Sequence, residues 1–173
     1  MKEALIAASL ARPQRRFAMP DDLALLRRAI ALSAASRAAG QHPFGALLAD
    51  AEGRVLMEAV NGFHPHGDGT AHAERLLATR ACVELPPGTR AAATLYSSAE
   101  PCAMCSGAIY WAGIGRVVYG LSESRLKAMI GPHPENLTMA LPCRTVFAAG
   151  QRAIAVEGPL VEEEAAAVHH GFW

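Results

Sequence analysis

Apolar positions fall into short segments of differing period. Leu23, Leu26 and Ile30 recur at helical spacing after Asp21-Asp22, and Gly40 supplies a stop. That pattern predicts a first helix capped by Asp21 or Asp22. FGALLADAEGRVLMEAV divides around Asp-Ala-Glu-Gly and predicts two short strands joined by a turn. NGFHPHGDG, Asn61 to Gly69, is too rich in turn formers for regular structure. TAHAERLLATRACV predicts a second helix, with Thr70 and Glu74 near its start and Leu76, Leu77 and Arg80 at helical spacing. PPG breaks the chain at Pro86 to Gly88, and ATLYSS from Ala93 reads as a strand. Pro101 opens another helix, which Gly113 and Gly115 close.

RVVYG follows as a β-branched strand ending at Gly120, and SESRLKAMI as a short helix. GPHPENL, Gly131 to Leu137, is irregular by its two prolines. TVFAAG and AIAVEG each predict a strand, and PLVEEEAAAV from Pro159 predicts a last helix before the tail HHGFW. Residues 1–19 read as a leader. Strands alternating with helices predict an α/β layered sheet. With no repeat or linker in the pattern, residues 1–173 are expected to form one domain, with 159–173 as its C-terminal helix and tail.

Composition narrows the class of partner. The 173 residues are 51% hydrophobic and carry no formal net charge, an ordinary globular balance. A nucleic-acid-binding protein usually shows a basic surplus, and ARPQRR, with Arg12, Arg15 and Arg16, reads as part of a solvated leader. Four unevenly placed cysteines do not make a secreted disulfide framework, so a reducing, cytoplasmic setting is expected. MKEALIAASLAR carries Glu3 beside Lys2 and lacks a clear cleavage site, which argues against a secretory signal. No apolar run approaches the ~20 residues of a membrane span.

The chemistry concentrates in SSAEPCAMCSGAIYWAG. Cys102 and Cys105 fit a redox dithiol, half of a structural zinc site, or half of a catalytic one. A structural site needs two further ligands, and Cys82 and Cys143 have no neighbour at ligand spacing; both read as small buried apolar residues. A catalytic site needs one imidazole and an unligated carboxylate. AHAE, Ala71 to Glu74, supplies His72 and Glu74 at the start of the preceding helix.

His-x-Glu followed by Pro-Cys-x-x-Cys is a signature of zinc-dependent deaminases. At helix N-termini all these side chains can reach one ion lying beyond the helix ends, where the dipoles favour thiolates. Cys82, ten residues along the helix, lies roughly 15 Å from His72. Zinc held by two thiolates and an imidazole supplies an activated water near neutral pH. Glu74 is expected to take the water proton and deliver it to the ring nitrogen, and in a second transfer to protonate the leaving ammonia.

The chain resembles the cytidine-deaminase-like superfamily, in its guanine-deaminase and nucleoside-deaminase branch. The likeness runs from about Asp21 to Leu121, through HPFGALL, Asn61, TAHAE, LYSSAEPCAMCSGAIYWA and RVVYG. It implies a three-layer α-β-α sandwich around a mixed five-stranded sheet, assembled as a dimer or higher oligomer. It implies Zn2+ on His72, Cys102 and Cys105, with Glu74 as the catalytic proton shuttle. Asn61 is implied to read the base by donating and accepting, and Phe44, Ala71 and Trp111 to line the pocket. Core packing for Phe44 and Trp111, and a turn role for Asn61, remain alternative readings.

Two departures from the family pattern bear on substrate. Guanine deaminases resembling this chain carry acids after the short helix, where Ala128, Met129 and Ile130 stand here; Glu135 is nearby at a different offset. Phe172 and Trp173 could close the active site of a neighbouring subunit, as aromatic tails do in some relatives, or form a frayed or crystal-packed end. The expected activity is hydrolytic release of ammonia from an aminated purine or pyrimidine base or nucleoside, a small molecule. Alternatives are a tRNA adenosine deaminase, a non-catalytic zinc-stabilised partner subunit, and a thiol redox protein. His64, His66 and His133 lie in the loops that would shape the pocket, or face solvent.

Overall fold

A computed structural model describes residues 20–173 of the chain. The leader, with Arg12, Arg15 and Arg16, lies outside the described residues. The elements, in order, are α1 (Pro20–Ala38), β1 (Gly45–Ala49), β2 (Val55–Val60), α2 (Ala73–Glu84), α3 (Pro87–Ala92) and β3 (Thr94–Ala99). Then come α4 (Ala103–Ala112), β4 (Arg116–Leu121), α5 (Glu123–Ile130), α6 (Cys143–Ala148), β5 (Ala155–Glu157) and α7 (Glu162–Ala167).

The strands form one sheet in the order β2-β1-β3-β4-β5. β1 is antiparallel to β2 and β3, whereas β3, β4 and β5 run parallel. The sheet is therefore mixed and five-stranded, as expected. Successive side chains of a strand face opposite sides, and here both sides are apolar. Leu48, Leu95 and Val117 face a layer containing Leu77, Ile109 and Phe147 of α2, α4 and α6. Leu47, Tyr96 and Val118 face Leu26 and Ile30 of α1, Leu126 of α5 and Ala165 of α7. This burial on both faces explains why β1 reads as a continuous apolar run, and β3 is buried throughout although it carries Thr94, Ser97 and Ser98. Gly45 lets β1 begin against α1: a Cβ there would lie 2.6 Å from the Ser33 nitrogen.

Strand directions bring the ends of β2, β3, β4 and β5 to one edge, together with the start of β1. Phe44, Asn61, Pro101-Cys102, Ser122-Glu123 and the chain leading to the tail therefore meet there.

Four sequence expectations need correction. α1 begins at Pro20, so Asp22 is not its cap but lies within the first turn. Its carboxylate accepts from both Arg116 nitrogens at 2.9 and 2.8 Å and from the Tyr96 hydroxyl at 2.5 Å. Pro86-Pro87-Gly88 does not simply break the chain: Pro87 starts α3, a position where proline lacks nothing a first turn needs. TVFAAG is not a strand but part of α6, whose Cys143 and Phe147, one turn apart, are both buried. Cys82 is exposed on α2, because it points away from the face that buries Leu77, Ala78 and Ala81. Cys143 is buried as expected. Among the described residues no helix is long and apolar enough to cross a membrane.

Candidate active site

His72 is the N-cap of α2 and Cys102 the N-cap of α4, with Cys105 in the first turn of α4. His72 Nδ1 lies 3.6 Å from the Sγ of Cys102 and 3.6 Å from that of Cys105. One donor atom from each residue falls within 4.8 Å of the others. An ion held tetrahedrally at zinc–sulfur and zinc–imidazole bond lengths sets N···S separations of about 3.6 Å. The donor set and its spacing therefore fit zinc, with three protein ligands and a fourth position left for solvent or substrate. Both helix starts aim their positive ends at the donors.

Electrostatics at these atoms are strongly coupled. The Cys105 thiol donates to Cys102, and the imidazole of His72 adds to this, bringing Cys102 down to about 4. The same proton held toward Cys102, together with burial, pushes Cys105 well up. His72 is raised by its bond to the Cys102 sulfur.

Glu74, in the first turn of α2, is 4% exposed. Its Oε1 accepts from the Ser97 hydroxyl at 2.6 Å, and its Oε2 lies 3.7 Å from Cys105 Sγ. Burial pushes the carboxyl above its usual range, and His72 and Ser97 pull against that rise. Ser97 comes from β3, a central strand buried throughout that also carries the polar Thr94 and Ser98. Nothing in the sequence separates Ser97 from these neighbours as the partner of Glu74.

The residue before the cysteine loop, Glu100, is buried. Its Oε2 accepts from the Glu123 backbone N–H at 3.0 Å and its Oε1 from that of Cys143 at 3.0 Å. One carboxylate thus serves the starts of α5 and α6. Glu123 is itself buried, and burial, with the nearby Cys102, pushes it up to about 8. Neither acid stood out in the sequence.

A family model for the zinc-binding region of cytidine and deoxycytidylate deaminases matches residues 19–121, the stretch that contains all three metal donors and Glu74. The chain belongs to this deaminase family. Its members hydrolyse amino groups from bases and nucleosides. A relative described as a probable cytosine deaminase from Schizosaccharomyces pombe is 45% identical over 155 residues, 88% of this chain and 92% of its own length. A tRNA-specific adenosine deaminase from Haemophilus influenzae is 33% identical over 108 residues, 62% of each chain. A solved structure of guanine deaminase from Nitrosomonas europaea superposes with a TM-score of 0.63 at 27% identity, over 87% of this chain and 82% of that one.

Around this deaminase centre, the other expected residues divide. The Phe44 ring lies parallel to that of His72, with centroids 6.5 Å apart. Asn61 is buried, and its Oδ1 accepts from the Phe63 N–H at 2.9 Å, an Asx turn. Ala71 is buried too, with its carbonyl taken by Gly62 and its N–H by Asp68. Trp111 stands apart at the far end of α4, 83% exposed among the described residues. Ala128, Met129 and Ile130 occupy the last turn of α5. Glu135 lies 2.9 Å from His42 Nε2.

The tail folds back onto its own chain. Trp173 meets Phe44 and stacks on His169, with ring centroids 6.1 and 6.2 Å apart. Phe172 and Trp173 both contact the His42 ring. His133 meets Trp173, and His64 and His66 are exposed. His169 is buried, accepts from Trp173 Nε1 at 3.2 Å, and is pulled by burial down to about 4.

Proposed function

We propose that this chain deaminates a free nucleobase, with an aminopyrimidine such as cytosine as its favoured substrate. The observation that carries the proposal is the tail packed on Phe44, one ring away from His72. A site roofed by its own chain suits a small planar molecule. A base within folded RNA must be splayed out and gripped through its phosphates. The absence of net charge supports the same choice.

Zinc, when bound, supplies the activated water. The protein's own groups handle the protons. Ser97 holds Glu74 Oε1, leaving Oε2 on the side of the metal donors. Glu74 takes a proton from the attacking water there and delivers it to the ring nitrogen beside the amino carbon; it then takes the second proton from the newly added hydroxyl and passes it to the amino group, which leaves as ammonia. Its burial lets it hold a proton between those transfers. Because Phe63 occupies Oδ1 of Asn61, that residue reads the substrate through its NH2 end, a donor suited to a ring carbonyl. Phe44 supplies one apolar wall and Trp173 the cover, while Ala71 presents only its methyl group.

The pairing of Glu135 with His42 supports cytosine over guanine. No carboxylate stands at 128–130, and Glu135, the acid that follows them in the chain, already has a partner. The similarity to the S. pombe protein over most of both chains supports the same substrate.

The test is ammonia release from zinc-loaded protein over cytosine, isocytosine, guanine, adenine and their nucleosides. Cytosine should give the highest kcat/KM. Preference for guanine would overturn the pyrimidine assignment, and activity confined to tRNA would overturn the free-base reading. No ammonia from any of them with full zinc content would favour a non-catalytic partner subunit.

A further inference from the structure

We propose that His42, His64 and Glu135 form a second cation site, for a divalent transition metal such as zinc, at the rim of the tail-covered pocket. Each residue offers one donor atom, and these atoms lie within 4.8 Å of one another. The three come from separate segments: the turn before β1, the loop after β2 and the loop between α5 and α6.

The His42 ring and the His64 backbone are held in place by contacts independent of any ion. The His42 ring is buried, stacked on Phe63 at 4.5 Å between centroids and flanked by Trp173 at 5.2 Å. His64 is latched through its backbone: its N–H donates to Gln41 Oε1 at 2.9 Å and its carbonyl accepts from Gln41 Nε2 at 3.0 Å. Glu135 completes the set, with Oε2 2.9 Å from His42 Nε2.

An ion pair between His42 and Glu135 needs no third member. The presence of His64, exposed but anchored beside them through its backbone, turns a pair into two imidazoles and a carboxylate. That set suits zinc, nickel or copper(II) and leaves coordination positions open. It contains no sulfur, which separates it chemically from the centre at His72, Cys102 and Cys105. Because His42 also touches both terminal aromatic rings, an ion here fastens two loops to the wall on which the tail rests.

The experiment starts from protein carrying one zinc per chain and measures uptake of a further equivalent by equilibrium dialysis with elemental analysis. Wild type should take up a second zinc ion. His64→Ala and Glu135→Gln should each weaken that uptake at least ~10-fold while retaining the first ion. Cobalt(II) used as a probe of the second site should add ligand-field bands without the thiolate charge-transfer absorption of a cysteine site. Absence of a second equivalent, unchanged uptake in His64→Ala, or a thiolate band from the added cobalt would overturn the proposal. Ammonia release is not the readout, so the outcome is independent of the substrate assignment.

Discussion

The Ser97 hydroxyl donates to Glu74 Oε1 at 2.6 Å, with both side chains buried. A strand residue thereby fixes the orientation of a carboxylate on a neighbouring helix. In Ser97→Ala the buried oxygen loses its donor, at a cost of about 1–3 kcal/mol. The expected result is a drop in kcat of roughly 10- to 100-fold, the same free energy expressed as rate. Zinc content should stay unchanged. Glu74→Gln should also retain zinc while losing at least ~1000-fold in turnover. Metal-matched kinetics on the two variants check both expectations.

Removal of the metal should reveal a reactive thiolate. With Cys102 brought down to about 4 by Cys105 and His72, it is ionised in metal-free protein throughout the neutral range. Iodoacetamide at pH 6.5 should label Cys102 ahead of the exposed Cys82, and zinc should protect it. Peptide mapping after brief alkylation, with and without a chelator, measures this.

The tail should be acid-sensitive. His169 sits at about 4 when folded, against 6.5 ordinarily, because burial disfavours its charged form. A depressed folded value means that the folded state binds fewer protons. Its contribution to stability is therefore complete above pH 6.5 and is lost as pH falls toward 4, by up to ~3 kcal/mol. Urea denaturation between pH 7.5 and 4.5 should show this loss, and His169→Phe should flatten the profile.

Trp173→Ala removes the ring over Phe44 and the donor to His169. We expect KM to rise more than kcat falls, because cover and positioning are lost while the metal donors and Glu74 stay in place. Steady-state kinetics on the best substrate of the panel separate the two effects.

Asp22→Ala tests the strut beneath the sheet. The change leaves the Arg116 guanidinium largely buried without its main counter-charge, and a destabilisation of about 3 kcal/mol is expected. Denaturant midpoints at matched zinc content provide the measurement.

The parts of this protein legible in the sequence are those encoded locally. The β1–β2 hairpin follows from its turn residues, α4 from Pro101 and Gly113, and the metal donors from two short motifs at helix starts. Contacts between distant segments were not legible. Asp22 looks like a cap until Arg116, from β4, arrives beside it. The β-branched and aromatic residues of TVFAAG suggest a strand, but Cys143 and Phe147 are buried together only on a helix. Glu135 is noticed in the sequence only as an acid near 128–130; its pairing with His42 carries no signal there, because tertiary structure alone brings the two together.

Glu100 holds the backbone at Glu123 and at Cys143, so the intervening segment is a span closed at both ends by one side chain. Its interior, 131 to 142, can change in length and character without moving either anchor or the cysteines next door. One buried carboxylate thereby insulates the metal donors from whatever sequence fills that span.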